Sequence, residues 1–179
     1  MYWEKMGKEC TEDTVHLAIK AARERNIKHI VVASNTGYTA ELFADSGLKI
    51  ICVTHVNGFK SPGENEMPEE NRNKLEALKV KVLTTTHVLS GAERAFSNKF
   101  GGIYPVEIMA NTLRMFGQGV KVGVEIAVMA LDAGLIPYGE SIVAVGGSGR
   151  GADTAIIIKP AHAKDILNTR IEEIICKPR

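Results

Sequence analysis

Residues 34 to 39 read Ser34-Asn35-Thr36-Gly37-Tyr38-Thr39, a run of hydroxyl and amide donors around one glycine. These residue types suit an anion. At a helix start, backbone N–H groups and the helix dipole favour a phosphate, and glycine lets the backbone approach without a Cβ. Ser/Thr/Gly turns also simply cap helices, so this run alone is a moderately specific signal. A second run reads Gly146-Gly147-Ser148-Gly149-Arg150-Gly151-Ala152-Asp153. It is not a P-loop, because no GK[ST] follows. Gly147, Gly149 and Ala152 fit a degenerate GxGxxA dinucleotide fingerprint, which requires a helix next. The continuation, Thr154-Ala155-Ile156-Ile157-Ile158, reads instead as a strand. The better reading is a flexible hairpin-like loop in which Arg150 offers a planar fork to phosphate. The competing reading is a glycine turn with a solvated arginine.

His55 and His87 end two apolar strands and are placed to face one cleft. Metal binding needs a third ligand at a telling spacing, and none is present, so polar lining or strand-end structure is the expected role. Glu125 sits among Val122, Val124, Ile126 and Val128, in a helix apolar nearly all round. A buried carboxylate needs a partner; Arg114 or a ligand N–H is the expected one, with a structural salt bridge favoured. No nucleophile–base pair or acid–base dyad can be assigned.

Alternating elements must hold these loops. Thr11 is placed as an N-cap, with Glu12 and Asp13 favouring the positive end of a helix dipole. Val15, Ala18, Ile19 and Ala22 then repeat at helical spacing. Strands are expected at 29–33, 48–54, 80–86, 141–145 and 154–159, with a short helix and an edge strand near 171–176. Helices are expected at about 39–45, from Pro68 onward, and over about 91–99, 105–116 and 120–133, the last stopped by Gly134. Short apolar strands alternating with helices imply a mostly parallel sheet covered on both faces, an α/β fold of three layers. Elaborate loops follow the strands ending at Ala33, Thr54, Thr86 and Val145, and in a doubly wound sheet all four lie at one edge, where such folds bind ligands. The loop at 56–68, with Gly58 and Gly63, reads as a mobile cover.

At 179 residues the chain fits one domain, 1–179, able to bury its own core. A formal net charge of +1 gives no electrostatic reason to expect nucleic acid or a membrane surface as partner. Three widely spaced cysteines, Cys10, Cys52 and Cys176, suit a reducing compartment rather than a disulfide framework. The charged N-terminus does not read as a signal peptide. The most apolar stretch, 120–131, is broken by Lys121 and Glu125 and is too short to span a bilayer. A cytoplasmic protein is the expectation.

Two resemblances rest on these residues. HIVVASNTGYTAELFADSGLKIICVTH, residues 29–55, resembles the C-terminal domain of pyruvate kinase, where a strand ends in a Thr/Ser-Gly-Ser/Thr phosphate loop. SIVAVGGSGRGADTAIIIKP resembles that domain's last hairpin, whose glycine loop closes over a sugar phosphate effector. The whole chain is more closely similar to stand-alone archaeal proteins labelled as pyruvate kinase α/β domains, a family associated with flavin mononucleotide (FMN). The shared segments are GKECTEDT, GFKSPGENEMP, HVLSGAERA and GGSGRGADTAIIIKPAH.

The resemblance implies that the strand at 154–159 runs antiparallel to the rest. It implies a phosphate held by Ser34, Asn35, Thr36, Gly37 and Thr39. Tyr38 stands where pyruvate kinases often carry a basic residue, which leaves charge compensation to Arg150. The candidate cofactor-binding set is Ser34, Asn35, Thr36, Gly37, Tyr38, Thr39, Thr54, His55, Gly58, His87, Gly147, Gly149, Arg150, Gly151, Asp153 and Thr154, with no metal ligands. Pyruvate kinase activity is not expected, because its catalytic barrel has no room here. Three readings stay open: an FMN-binding protein, a sensor of a sugar phosphate or nucleotide, and an assembly module. A homo-oligomer is compatible with each.

Overall fold

A computed structural model describes residues 1–179. Seven strands are β1 (Tyr2–Trp3), β2 (His29–Ala33), β3 (Lys49–Val53), β4 (Lys81–Leu83), β5 (Ile142–Gly146), β6 (Thr154–Lys159) and β7 (Arg170–Pro178). Six helices are α1 (Thr11–Glu24), α2 (Tyr38–Glu41), α3 (Glu69–Ala77), α4 (Glu93–Phe100), α5 (Pro105–Arg114) and α6 (Gln118–Asp132). The strands form one sheet in the order β1-β7-β6-β5-β2-β3-β4. β2 pairs in parallel with β3 and β5, and β3 with β4. β6 is antiparallel to both β5 and β7, so it is the one reversed strand.

Period-two alternation splits the central strands between two cores. Ile30, Val32, Val143, Val145 and Ile157 face one side, where Val15, Ala18 and Ala22 of α1 and Leu75 of α3 cover them. Val31, Ile51, Ala144, Ile156 and Ile158 face the other, beneath Val120, Val124, Ala127 and Leu131 of α6. α6 lies unusually close to the sheet because of its glycines. A Cβ on Gly119 would stand 2.1 Å from Thr154 Oγ1, and one on Gly123 would stand 2.9 Å from Ile156 Cδ1. No helix is long and apolar enough to cross a membrane.

Several local expectations are corrected. The helix expected at 39–45 is one turn at Tyr38–Glu41 followed by a 3-10 turn at Ala44–Ser46, because Phe43 is drawn fully into the core. The strand expected to reach Thr86 ends at Leu83; Thr84 turns its hydroxyl to Thr54 and Arg72 instead. The tail forms a nine-residue strand, β7, longer than expected, and the N-terminal residues add β1 beside it. Thr11 does not cap α1; its hydroxyl accepts the Ala152 N–H at 3.1 Å.

Candidate functional site

A cleft of about 750 Å³ opens at the carboxyl edge of the parallel strands. Three of the loops singled out above wall it. Ser34, Asn35, Thr36, Tyr38 and Thr39 come from the loop after β2, His55, Lys60 and Glu66 from the loop after β3, and Gly147, Gly149, Arg150 and Gly151 from the loop between β5 and β6. The fourth loop, after β4, brings His87 to an inner chamber of about 160 Å³. The chambers share Ala33, Asn35, His55, Gln118 and Val122 in their walls, so they adjoin.

Two cations stand free at the outer cleft. Arg150 is exposed and has no hydrogen-bond or ion-pair partner in the protein. Lys8 also lines the cleft, with its ammonium 5.8 Å from the Tyr38 ring centroid. The third, Lys60, is held by Glu66 at 2.8 Å. Glu66 is also bound to His55 Nδ1, and Asn65 reaches the Asn57 side chain at 2.8 Å. Burial alone would raise the Glu66 carboxyl, but hydrogen bonds from Lys60 and His55 hold it below the usual carboxylate range. The loop at 56–68 is therefore tied at its base by a small ionic cluster. Gly58, at its tip, donates to the Glu64 carbonyl at 2.8 Å and does not line either chamber.

Asp153 and Thr154 serve structure rather than the cleft. Asp153 is fully buried, and its carboxylate accepts the Gly7 N–H at 2.8 Å, the Ser148 N–H at 3.0 Å and the Thr154 hydroxyl at 2.8 Å. Its carbonyl accepts Trp3 Nε1–H at 2.7 Å. This carboxylate clamps the N-terminal segment onto the glycine loop, which is how Lys8 arrives beside Arg150. The close fit explains Gly151, where a Cβ would stand 2.3 Å from Thr11 Oγ1.

Gly37 also has a different role from the one expected. Its φ is +92°, and a Cβ there would press Leu75 Cδ1 at 3.0 Å, on the core side of the loop. A side chain would therefore strain the turn and the core, not fill the space of a phosphate oxygen. Gly37→Ala will destabilise the fold by about 1–3 kcal/mol, the usual cost of a non-glycine residue in such a conformation. Thermal unfolding will show this as a fall of about 2–4 °C per kcal/mol. An unchanged midpoint would refute it. The helix after Gly37 is a single turn, Tyr38–Glu41, and contributes little dipole.

In the inner chamber Thr54 donates to or accepts from Thr84 Oγ1 at 2.7 Å and is buried. His87 Nε2 accepts the Val56 N–H at 3.3 Å. Burial pushes His87 below the ordinary imidazole range, and the opposing pull of Glu125 does not overcome it. Glu125 pairs with Lys121 at 2.5 Å, not with Arg114, and also accepts the Leu89 N–H at 2.9 Å. Arg114 instead bonds Gln118 and Asn111. His55 and His87 have ring centroids 5.4 Å apart, and no group of three His, Cys, Asp or Glu gathers at ligand distance. The cysteines line neither chamber; burial pushes the Cys52 thiol up to about 12.

Reading the sequence missed Lys8, Lys60, Glu66 and Gln118 in the outer cleft, and Arg94 and Lys121 in the inner one. The i,i+4 spacing of Lys121 and Glu125 was an available signal.

A three-layer α/β domain with one reversed strand and a ligand-sized cleft at its carboxyl edge defines the class of protein. Residues 12–158 match the family described as pyruvate kinase, alpha/beta domain, and the chain belongs to that family. It is the family expected from residues 29–55 and the glycine loop. Among solved structures, a pyruvate kinase from Cryptosporidium parvum is similar at 19% identity and a TM-score of 0.42, over 82% of this chain and 22% of that one. Cryptosporidium parvum pyruvate kinase in complex with ADP is similar at 20% identity and a TM-score of 0.41, over 82% and 22%. The chain thus spans about a fifth of the length of the pyruvate kinases it matches.

Proposed function

We propose that the chain binds a small phosphorylated ligand in the outer cleft, with FMN the first candidate, and that its role is not pyruvate kinase chemistry. The observation that carries this reading is the meeting of free cations, Lys8 and Arg150, with the hydroxyls of Ser34, Thr36 and Thr39 around one cavity of about 750 Å³. Cavities of about 300–1,000 Å³ take cofactor-sized molecules. The donor set fits a phosphate, Asn35 and Gln118 fit a polyol chain, and Tyr38 and Val122 offer apolar wall to a ring system. Bound flavin would supply redox chemistry, while the protein supplies binding and orientation.

A second reading, a sensor of a sugar phosphate or nucleotide, draws on the strongly polar lining, in which Ala33, Tyr38 and Val122 are the apolar members. One titration separates the two. FMN is expected to bind at least about tenfold more tightly than riboflavin, since hydrogen bonds to a charged group contribute roughly 1.5–3 kcal/mol. Equal affinity for both would overturn the phosphate site. No response to either flavin, with binding of a sugar phosphate, would favour the second reading.

A further inference from the structure

We propose that the inner chamber is a second anion subsite, built for the carboxylate of a small carboxylic acid that binds beside the phosphorylated ligand. The inference goes beyond the phosphate reading and can be tested without it. It starts from a buried ion pair that stability does not explain. Lys121 and Glu125 have side chains 7% and 6% exposed, on a helix whose other buried residues are all apolar. Replacing such a pair with apolar residues is often neutral or stabilising. Lysine preceding glutamate at i,i+4 is also the less favourable order on a helix.

The chamber's polar groups are unevenly engaged. Both Glu125 oxygens are occupied, one by the Leu89 N–H and the other by Lys121. Lys121 uses one of its three donors on Glu125 and has no other partner in the protein. Arg94 lines the chamber and has no side-chain partner, and Arg114 lines it with one guanidinium nitrogen uncommitted. With Lys121 neutralised by Glu125, these two guanidinium groups leave the chamber positive. His87 accepts the Val56 N–H through Nε2, so a neutral ring carries its proton on Nδ1 as a donor.

Size and geometry select the ligand class. A chamber of about 160 Å³ has room for about five waters at roughly 30 Å³ each, or for one short-chain acid. A guanidinium fork matches a planar carboxylate. A phosphate dianion beside Glu125 fits less well than a monoanion.

The test uses the full chain without added flavin, and propionate as probe. Propionate is expected to shift the His87 ring resonances in nuclear magnetic resonance spectra saturably, and propionamide is not. Arg94→Ala changes an exposed side chain and leaves the core intact; it should weaken propionate about tenfold, the loss of one charged hydrogen bond. Lys121→Met combined with Glu125→Leu removes the pair without orphaning a charge, and should weaken propionate while leaving flavin titrations of the outer cleft unchanged. Equal responses to acid and amide, or an Arg94→Ala variant that binds propionate as tightly as the native chain, would overturn the subsite. Neither result bears on the phosphate site, which is read from FMN against riboflavin.

Discussion

Asp153→Ala will lower the melting temperature by about 6–12 °C, corresponding to about 3 kcal/mol at roughly 2–4 °C per kcal/mol for a chain of this size. The side chain is fully buried and accepts hydrogen bonds from the Gly7 and Ser148 amides and the Thr154 hydroxyl. Hydrogen bonds to an ionised acceptor contribute roughly 1.5–3 kcal/mol each, and their combined loss is less than additive. Alanine would strand the buried Gly7 N–H and take the partner from the half-buried Ser148 N–H. Asp153→Asn keeps acceptor capacity at one oxygen and should recover part of the loss. Differential scanning calorimetry of the three proteins measures this. A midpoint within about 2 °C of native for the alanine variant, under about 1 kcal/mol, would mean that the junction does not depend on the carboxylate.

Arg150→Ala will weaken a phosphorylated ligand about 10- to 100-fold, equivalent to roughly 1.5–3 kcal/mol. Arg150 projects from the glycine loop into the cleft with no partner in the protein. Arg150→Lys should recover only part of the affinity, since a point charge does not reproduce a planar fork. Lys8→Ala should weaken the same ligand too. The two effects should fall short of additive in the double variant, because both cations face one cleft. Native binding should weaken with added salt, and less steeply in Arg150→Ala. Affinities of FMN and riboflavin for native and variant proteins close the cycle. A loss equal for the two ligands would assign the effect to the loop and not to the phosphate.

The fold was legible where local chemistry decides it. The β-branched runs at 29–33 and 154–159 became β2 and β6, and the strand after Asp153 disposed of the dinucleotide reading. The largely apolar stretch near 120–133 became α6. What escaped depends on partners distant in the chain. Tyr2 and Trp3 are strand residues only because β7 pairs with them, 175 positions later. Lys8 reaches the cleft through an Asp153 clamp whose partners are 146 residues apart. Asp153 stood in the candidate cofactor-binding set, and its burial makes it a brace instead. At Glu125 the burial was foreseen and the partner was not, since Lys121 had been counted as an interruption of an apolar run.

The near contact of Gly119 and Gly123 with β6 has a practical meaning for anyone reshaping this protein. Gln118 and Val122 wall the outer cleft, and Lys121 and Glu125 wall the inner chamber, all on the same helix. A helix seated that tightly on Thr154 and Ile156 has no slack to slide or tilt. Its four wall positions thus behave as sockets on a fixed bar. A designer can exchange the fittings one at a time, but widening one chamber by moving the bar would unseat it from the sheet.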